Sequence, residues 1–402
     1  MTNEKIVRLK SEVKTEISNN ILPFWSTQMI DQTNGGFYGR IDGNGIVYPQ
    51  ADKGCILNAR ILWTFASAYR ILKNPEYLKY ATRAKDYLLK YFIDKEYKGV
   101  YWLLDYQGKM VNGRKQIYAQ SFAIYGLTEY YRAVKDEECL QNAVEIYRLI
   151  EKYSFDPKLD GYFEAFSREW GELEDHRLSE RDANEKKTMN THLHVLEAYT
   201  NLFRVWKDEG LKQQLRKLIE VFAAKIVNHE TFHLNLFLDE NWNCKSDIVS
   251  YGHDIEASWL LDEAARVLGD EALIKKIQTM CLKIANAACE GLMADGSLIY
   301  EKLNNTGHID MDRHWWVNAE ALVGLMNAYE LSGNAAFLEK ALAAWKFISA
   351  NLIDKNKGEW LWSVDKNMQP NRNDDKAGFW KCPYHNSRMC LEVLERPVGS
   401  GQ

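Results

Sequence analysis

Paired cysteines, basic blocks and long apolar runs are all missing from this sequence of 402 residues. The seven cysteines are an odd, scattered set without a CxxC pair, which argues against a disulfide framework or a cysteine zinc site. We therefore expect reduced thiols in a cytoplasmic protein. The net charge is −5 and no basic cluster is present, so the sequence indicates neither nucleic acid nor an anionic membrane surface as a partner.

Membrane and export signals are also missing. The chain is charged from its fourth residue, which does not fit a signal peptide, and no apolar run approaches the roughly 18 residues of a membrane span. Hydrophobic residues make up 46%, enough for a large packed core. Aromatic residues are abundant, at 13 Trp, 22 Tyr and 15 Phe, and exposed aromatic faces are typical of sugar sites. We expect a monomer whose partner is a small neutral molecule.

A short glycine-plus-aromatic signal for a strand, a turn and a second strand recurs along the chain. The signals begin at 35, 99, 161, 233, 296 and 358, a period of about 63 residues, although the one at 233 lacks the glycine. Each follows a charged amphipathic helix and precedes a polar loop and a less charged helix. The outer helices are predicted at 4–20, 75–93, 137–152, 211–228, 271–289 and 335–352. The inner ones are predicted at 54–72, 115–134, 188–207, 253–268, 315–331 and 383–396.

Six helical hairpins of this kind close naturally into an all-α (α/α)6 barrel, with short β-hairpins and loops at one mouth. The sequence predicts a single catalytic domain over 1–397 and a flexible tail at 398–402. An open solenoid is the alternative, but the six units have diverged and each carries its own polar insertion. The longest insertion, 168–187, is either a solvated loop or a lid over the mouth.

Polar residues collect where the inner helices begin, and the barrel brings these starts to one mouth. His253 and Glu256 are three apart, so they share a helix face, and Glu256 favours the charged imidazole. The positive end of the helix dipole opposes that charge. His253 is therefore either a structural cap or a candidate acid/base group whose charge changes near neutral pH.

Helical geometry selects among the other histidines. His192 and His194 lie two apart and point to nearly opposite sides, whereas Asn190 and His194 share a face. We therefore expect His194 in the cavity. Pro383 suits the first turn of a helix and places His385 in that turn. The histidines at 176, 229, 233 and 308 have no partner pattern and are expected at the surface or in loops.

The sequence predicts no metal and no nucleotide cofactor. The nine histidines form no HExxH motif or other paired-ligand spacing. The glycines at 43 and 45 lie in a hairpin turn and open no helix, so the dinucleotide fingerprint fails. His253 and His385, from different sides of the ring, suit proton transfer at a carbon next to a carbonyl. One would remove a proton and the other would return one to the opposite face, which gives an epimer.

Five stretches carry a resemblance that covers nearly the whole chain. They are NAR at 58–60, NTHLHVLEAY at 190–199, GHDIEASW at 252–259, RHWWVNAEA at 313–321 and KAGFWKCPYHNSRMC at 376–390. Together they resemble the N-acylglucosamine 2-epimerase superfamily, and more closely its cellobiose 2-epimerase branch. The resemblance implies a cofactor-free enzyme that interconverts glucose and mannose at the reducing end of β-1,4-linked disaccharides such as cellobiose, lactose or mannobiose.

The resemblance also implies roles for single residues. His253 and His385 would be the acid/base pair, His385 would assist ring opening, and Glu256 would orient and charge His253. The implied substrate contacts are Arg60, Asn190 and His194 at the oxygens of carbons 1 and 2, Trp316 at the reducing-end sugar, Trp380 and Asp182 at the second sugar, and Tyr118 and Glu320 as further polar residues.

Several functions compete at this point. A monosaccharide or N-acylglucosamine 2-epimerase, or an aldose–ketose isomerase, would use the same histidines but leave Trp380 without a sugar to stack on. An inverting glycosidase would need two carboxylates about 6.5 to 9.5 Å apart, for which Glu256 and Glu320 are the candidates. A non-catalytic sugar-binding ring would not need histidines at helix starts. A disaccharide 2-epimerase uses all of these features.

Overall fold

The computed structural model describes residues 2–398 and arranges their inner helices in a closed ring. The inner helices are α3 (Cys55–Leu72), α5 (Ile117–Val134), α7 (Met189–Val205), α9 (Tyr251–Leu268), α11 (Trp315–Ser332) and α13 (Tyr384–Glu395). Each packs against the next, and α13 also packs against α3. The predicted (α/α)6 barrel is confirmed, because the first and last inner helices of an open solenoid would not meet.

The outer helices form a second layer around this ring. They are α1 (Thr2–Glu16), continued by a π-helical turn (Ile17–Ile21) and α2 (Leu22–Thr27); α4 (Pro75–Tyr87) with a π-helical turn (Leu88–Phe92); α6 (Glu137–Tyr153); α8 (Glu209–Val221) with a π-helical turn (Phe222–Ile226); α10 (Glu271–Ala288) with a 3₁₀ turn (Cys289–Gly291); and α12 (Ala335–Phe347) with a π-helical turn (Ile348–Leu352). The helix α1 packs on α13, so the two ends of the chain close the barrel. Positions 399–402 of the predicted tail lie outside the described residues.

Short antiparallel strands lie where the inner helices begin. The pairs are β1 (Lys53–Gly54) with β2 (Leu103–Leu104), β2 with β3 (Met110–Asn112), β4 (Lys115–Gln116) with β5 (Ala165–Phe166), β6 (Lys187–Thr188) with β7 (Phe237–Leu238), β8 (Ile248–Ser250) with β9 (Glu301–Leu303), β9 with β10 (Ile309–Asp310), and β11 (Arg313–His314) with β12 (Ser363–Val364). Single bridges mark the six predicted strand turns, at Ile30–Phe37, Ile93–Val100, Phe155–Tyr162, Val227–Leu234, Leu292–Leu298 and Ile353–Trp360. The sixfold repeat is thereby confirmed. Among residues 2–398, no helix combines the length and apolar character needed to cross a membrane.

The turn from an inner helix to the next outer helix is built from two local signals. The helices α3, α5, α9 and α11 are each followed by one residue with a left-handed backbone, which is Lys73, Lys135, Gly269 and Gly333 in turn. An Asn or Asp comes next and caps the outer helix; Asp136, for example, accepts the backbone N–H groups of Glu138 and Cys139. These caps keep the hairpins short, so the local sequence sets where each helix ends.

The fourth residue of an inner helix ties that helix to the strand turn outside it. Gln120, His192, Asp254 and Asn318 accept backbone N–H bonds of 2.8 to 2.9 Å from Val100, Tyr162, Leu234 and Leu298. His192 also bonds the carbonyl of Thr188 through Nδ1. Burial lowers the pKa of His192 to about 4, so the ring stays neutral and can accept this bond. His192 is therefore a structural residue.

Four repeats share a buried ion pair between a lysine ahead of the inner helix and an aspartate at the strand turn. The pairs are Lys53–Asp31, Lys115–Asp94, Lys187–Asp156 and Lys376–Asp354, with Nζ to oxygen distances of 2.7 to 2.9 Å. The repeat that contains α9 differs from these four. There Asn228 accepts the N–H bonds of the turn, and Val249 occupies the position of the lysine ahead of the helix. The two charges are lost together there, as expected if each needs the other when buried.

Replacing Lys53 with methionine is expected to lower the free energy of unfolding by about 3 to 5 kcal/mol, because buried Asp31 loses its counter-ion. The double variant Lys53→Met/Asp31→Asn should recover most of that loss, since Asn228 serves the same turn without a charge. Hydrogen bonds from Asn34 and Lys53 overcome the effect of burial and lower the pKa of Asp31. The stabilisation by this pair is therefore present at neutral pH and lost as the pH falls.

Urea unfolding at pH 7 and pH 3 measures both effects. The difference in free energy of unfolding between the wild type and the double variant should be smaller at pH 3 than at pH 7. An equal loss in the single and double variants would contradict a charge-specific role for Lys53.

Candidate active site

A cavity of about 620 Å³ opens at the mouth where the inner helices begin. Its wall includes all but one of the predicted site residues, namely Arg60, Tyr118, Asp182, Asn190, His194, His253, Glu256, Trp316, Trp380 and His385. The inner helices and the loops before them therefore converge on one site. The exception is Glu320, which is fully buried behind His385. The prediction that Glu320 contacts the substrate is wrong, because its carboxylate is taken up by protein groups.

The first histidine of the site, His253, is held by a serine. The Nδ1 atom of His253 lies 2.8 Å from Oγ of Ser250, and its ring packs 4.8 Å from the indole of Trp316. Burial lowers the pKa of His253 to about 3, with a smaller contribution from His194, so the imidazole is neutral. The prediction that Glu256 orients and charges His253 is wrong, since Ser250 bonds the ring and Glu256 bonds Arg388.

The second histidine, His385, is held by a carboxylate. Its Nδ1 atom lies 2.7 Å from Oε1 of Glu320, and Oε2 of Glu320 accepts the indole N–H of Trp259. An ionised carboxylate only accepts hydrogen bonds, so it places the hydrogen on Nδ1 and leaves Nε2 free. Burial and the charges of Arg60 and Arg388 lower the pKa of His385 well below its ordinary value.

A buried arginine joins the acidic residues behind the histidines. Arg388 donates to Glu256 at 2.5 Å and to Glu320 at 2.7 Å, and its other terminal nitrogen bonds Glu197. Glu197 in turn holds Nδ1 of His194 at 2.9 Å. Burial opposes ionisation of Glu197, but Arg388 and His194 lower its pKa to about 2. This cluster therefore fixes the rings of His194 and His385 from behind the cavity.

The same cluster bears on two of the alternatives from the sequence. Atoms of Glu256, Glu320 and His385 that could bind a metal lie within 4.8 Å of one another. The guanidinium of Arg388 already bonds both carboxylates, so a cation would have to displace a buried ion pair. The carboxylates are also closer together than the roughly 6.5 to 9.5 Å of an inverting glycosidase. The geometry favours neither a metal centre nor that enzyme class.

Polar donors and acceptors face the same space from α3, α5 and α7. Nη2 of Arg60 donates to the hydroxyl of Tyr118 at 2.8 Å, and its guanidinium lies 4.1 Å from the ring centre of Phe122. The side-chain oxygen of Asn190 is buried and has no hydrogen-bond partner among the described residues. A buried acceptor without a partner is costly, so Asn190 is suited to receive a ligand hydroxyl.

Aromatic rings line the outer part of the cavity. Trp380 packs against Phe379, Trp102 and Tyr118, with ring centres 5.0 to 6.1 Å apart, and stays partly exposed. On the other side His314 stacks on Tyr300 with ring centres 4.0 Å apart. Faces of this kind suit a sugar ring, which packs its C–H groups on an aromatic surface.

The long insertion of the third repeat reaches the same mouth. Residues 178–182 line the cavity, and Asp182 accepts the backbone N–H of Ser179 at 2.9 Å. Burial raises the pKa of Asp182. The insertion is therefore part of the cavity wall and not merely a solvated loop.

A family model described as N-acylglucosamine 2-epimerase (GlcNAc 2-epimerase) matches residues 36–388. The chain belongs to this family. The match includes every residue that lines the cavity, so the resemblance inferred from five short stretches is confirmed over most of the chain.

Relatives within the family match almost the full chain. A protein of Bacteroides fragilis named cellobiose 2-epimerase is 56% identical over 386 residues, which cover 96% of this chain and 98% of the relative. A Dictyoglomus turgidum protein of the same name is 43% identical over 390 residues, with 96% and 98% covered. The solved structure of cellobiose 2-epimerase from Bacillus thermoamylovorans has a TM-score of 0.93 at 44% identity and covers 97% of this chain and 100% of that one.

Sequence reasoning missed the residues that hold the site together. Ser250, Glu197 and Arg388 bond the site residues from within helices or at their starts. A usable signal existed, because Glu197 follows His194 by three and Arg388 follows His385 by three. His233 lies in a loop, one of the two predicted locations, but it is buried against Asp254 at 2.7 Å, whereas His229 and His308 are exposed.

Proposed function

We propose that this protein is a cofactor-independent 2-epimerase that interconverts glucose and mannose at the reducing end of β-1,4-linked disaccharides. The observation that carries this proposal is a pair of neutral imidazoles, His253 and His385, packed on one indole, Trp316, at 4.8 and 5.6 Å. Neutral imidazoles can accept a proton from carbon at ordinary pH. The full-length relatives named cellobiose 2-epimerase support the choice of substrate.

Ring opening is assigned to His385. Its free Nε2 takes the proton of the anomeric hydroxyl while the bond between carbon 1 and the ring oxygen breaks, and the ring oxygen takes a proton from solvent. The product is the open-chain aldehyde, and His385 becomes an imidazolium. The carboxylate of Glu320, bonded to Nδ1, stabilises that cation.

Epimerisation then needs one proton to leave carbon 2 and another to arrive. Nε2 of neutral His253 removes the carbon 2 proton, and the electron pair moves into an enediolate. The imidazolium of His385 returns its proton to the opposite face of carbon 2. His253 ends protonated and His385 neutral. When the sugar ring re-forms, the hydroxyl that attacks carbon 1 loses its proton to solvent and the aldehyde oxygen takes the proton from His253, so both histidines are neutral again. The reverse reaction uses the same two residues with their roles exchanged.

The developing negative charge is met by the polar side of the cavity. Arg60 supplies a fixed positive charge, and His194 is positioned by Glu197 to donate from its other ring nitrogen. Asn190 can accept a hydroxyl hydrogen through its unpartnered oxygen. Preorganised groups of this kind stabilise an enediolate without moving during the reaction.

The outer cavity sets the substrate size. Trp380 is positioned to stack on a second sugar, and Asp182, which lines the cavity from the insertion, is the polar contact for that sugar. A monosaccharide or an N-acylglucosamine would fill the inner part and leave Trp380 unused. We therefore favour a disaccharide over these smaller substrates.

The first test is proton NMR of the purified, chelator-treated protein with cellobiose in deuterated water. We expect a mannose reducing end that carries deuterium at carbon 2. Release of free glucose would indicate a glycosidase instead. Turnover of mannose or N-acylglucosamine in preference to cellobiose would reject the disaccharide assignment.

The variant Trp380→Ala is expected to lower kcat/KM for cellobiose about 10- to 100-fold, because the stacked surface on the second sugar is lost. Any activity on free mannose should change much less. Trp206→Ala is the matched control, since Trp206 is similarly exposed but packs on Tyr147, away from the cavity. Equal losses on both substrates would remove Trp380 from the second subsite.

The pH profile should differ from that of a free imidazole. Both histidines must start neutral, and burial lowers the pKa of His253 to about 3. We therefore expect kcat/KM for carbon 2 exchange to change less than about twofold between pH 7 and pH 5. A base with a pKa of roughly 6.5 would instead lower kcat/KM about 20-fold over this range. Circular dichroism at each pH checks that the fold persists. If kcat/KM falls by the larger factor, burial does not lower the pKa of the base.

A further inference from the structure

Ser250, the hydrogen-bond partner of His253, lies at a helix N-cap position but does not cap the helix. Ser250 stands at the N-cap of α9, but its side chain bonds no backbone N–H. At the same position before α7, Thr188 accepts the backbone N–H of Thr191. Ser250 is buried and places its Oγ 2.8 Å from Nδ1 of His253. The hydroxyl that would normally cap this helix therefore holds an imidazole.

The three imidazoles that the proposed function uses differ in their partners at Nδ1. These partners are Glu197 for His194, Glu320 for His385 and Ser250 for His253. A carboxylate only accepts, so it fixes a hydrogen on Nδ1 and favours the imidazolium. A hydroxyl can accept from Nδ1 or donate to it, and it adds no charge. Of these three rings, only His253 is held without favouring its cation.

We propose that Ser250 is the positioning residue of His253, and that its uncharged hydroxyl aims Nε2 at the substrate while leaving the ring free of a stabilised positive charge. This inference rests on the proposed function of His253 as the base at carbon 2. Loss of the oxygen would release the ring from its orientation. A carboxylate in its place would make His253 resemble His385 and hold the proton after it is taken.

The ionisable groups around His253 stay the same when only residue 250 is replaced. The ionisable groups that line the two cavities beside His253 are Arg40, Arg60, Tyr118, Glu164, His176, Arg177, Glu180, Arg181, Asp182, Glu185, His194, Glu256, Tyr300, His314, Asp374, Asp375, Lys381 and His385. A shift in the titration of His253 between Ser250 variants can then be assigned to the residue at 250.

The test compares Ser250→Ala, Ser250→Thr and Ser250→Asp in the full chain. We expect Ser250→Ala to lower kcat about 10- to 100-fold with little change in KM, because a misaligned base loses rate more than binding. Ser250→Thr keeps the hydroxyl and should retain most of the activity. Ser250→Asp should move the acid limb of the pH profile upward by about one to three pH units. Ser258→Ala, which removes a buried hydroxyl bonded to Ile255 on the same helix, is the matched control.

A second readout does not depend on turnover. Nitrogen-15 NMR of labelled histidine, with the His253 signal assigned through His253→Gln, reports the tautomer and pKa of this ring in the free protein. We expect the His253 pKa to rise in Ser250→Asp and its tautomer balance to change in Ser250→Ala. Full activity and an unchanged signal in Ser250→Ala would overturn the proposal. If the wild type has no epimerase activity while the NMR shifts occur, the proposed function fails but the hydrogen-bond role of Ser250 stands.

Discussion

Replacing His253 or His385 with alanine is expected to lower carbon 2 exchange by about 10³-fold or more, because each variant removes one of the two groups that move a proton at carbon 2. The two variants should differ in a second reaction. His385→Ala should also lose the acceleration of sugar ring opening, measured as mutarotation of cellobiose. His253→Ala should keep it, because His385 and Glu320 remain in place.

The controls for this pair are two exposed histidines of the same chain. His229→Ala and His308→Ala should leave both reactions unchanged, since neither side chain lies near the cavity. Circular dichroism and unfolding curves show whether each variant is folded. Exchange above a tenth of the wild-type rate in either cavity variant would rule out the assigned pair. Loss of mutarotation in both would show that ring opening is not specific to His385.

The second large effect is expected from Arg388, the only cation bonded to three buried carboxylates among residues 2–398. Arg388→Met should lower the free energy of unfolding by about 3 to 5 kcal/mol, because Glu197, Glu256 and Glu320 then share a buried site without a counter-charge. Burial and Glu320 already raise the pKa of Glu256 to about 7 despite Arg388. Protonation of Glu256 can offset only part of the lost charge.

Two further variants make the Arg388 prediction specific. Arg388→Lys keeps the charge but cannot reach separate carboxylates through two nitrogens, so an intermediate loss is expected. Arg8→Met breaks an exposed pair with Glu12, one turn further along α1, and should change the free energy of unfolding little. Urea unfolding of the set at pH 7 gives the comparison. A loss of stability in Arg388→Met no larger than in Arg8→Met would show that the cluster does not need its cation.

The barrel was predictable because its signals are local and repeated. Strand turns and amphipathic helices recur at one period, and Asn or Asp caps start five of the six outer helices. Such features depend on residues a few positions apart. The predicted helix bounds accordingly agree with the observed ones to within a few residues, except that the first outer helix continues to Thr27.

The site was predictable only in part. The positions of His194, His253 and His385 follow from helix starts that the ring must bring together. The partner of His253 did not follow, because Glu256 on the same helix face turns to Arg388, which is 132 positions away in the chain. The burial of His233 was missed for the same reason, since its partner Asp254 comes from a different element.

The (α/α)6 architecture, the family and most of the polar side chains at the mouth can be inferred from the amino-acid sequence alone, since periodicity, caps and short motifs act within neighbouring residues. Which charges pair in the interior depends on how the helices come together in the folded protein. Glu197, Glu256 and Glu320 come from three different helices, and Arg388 from a fourth joins them. Buried charges choose partners by distance and desolvation in three dimensions, so a carboxylate three residues from a histidine need not be the one that holds it.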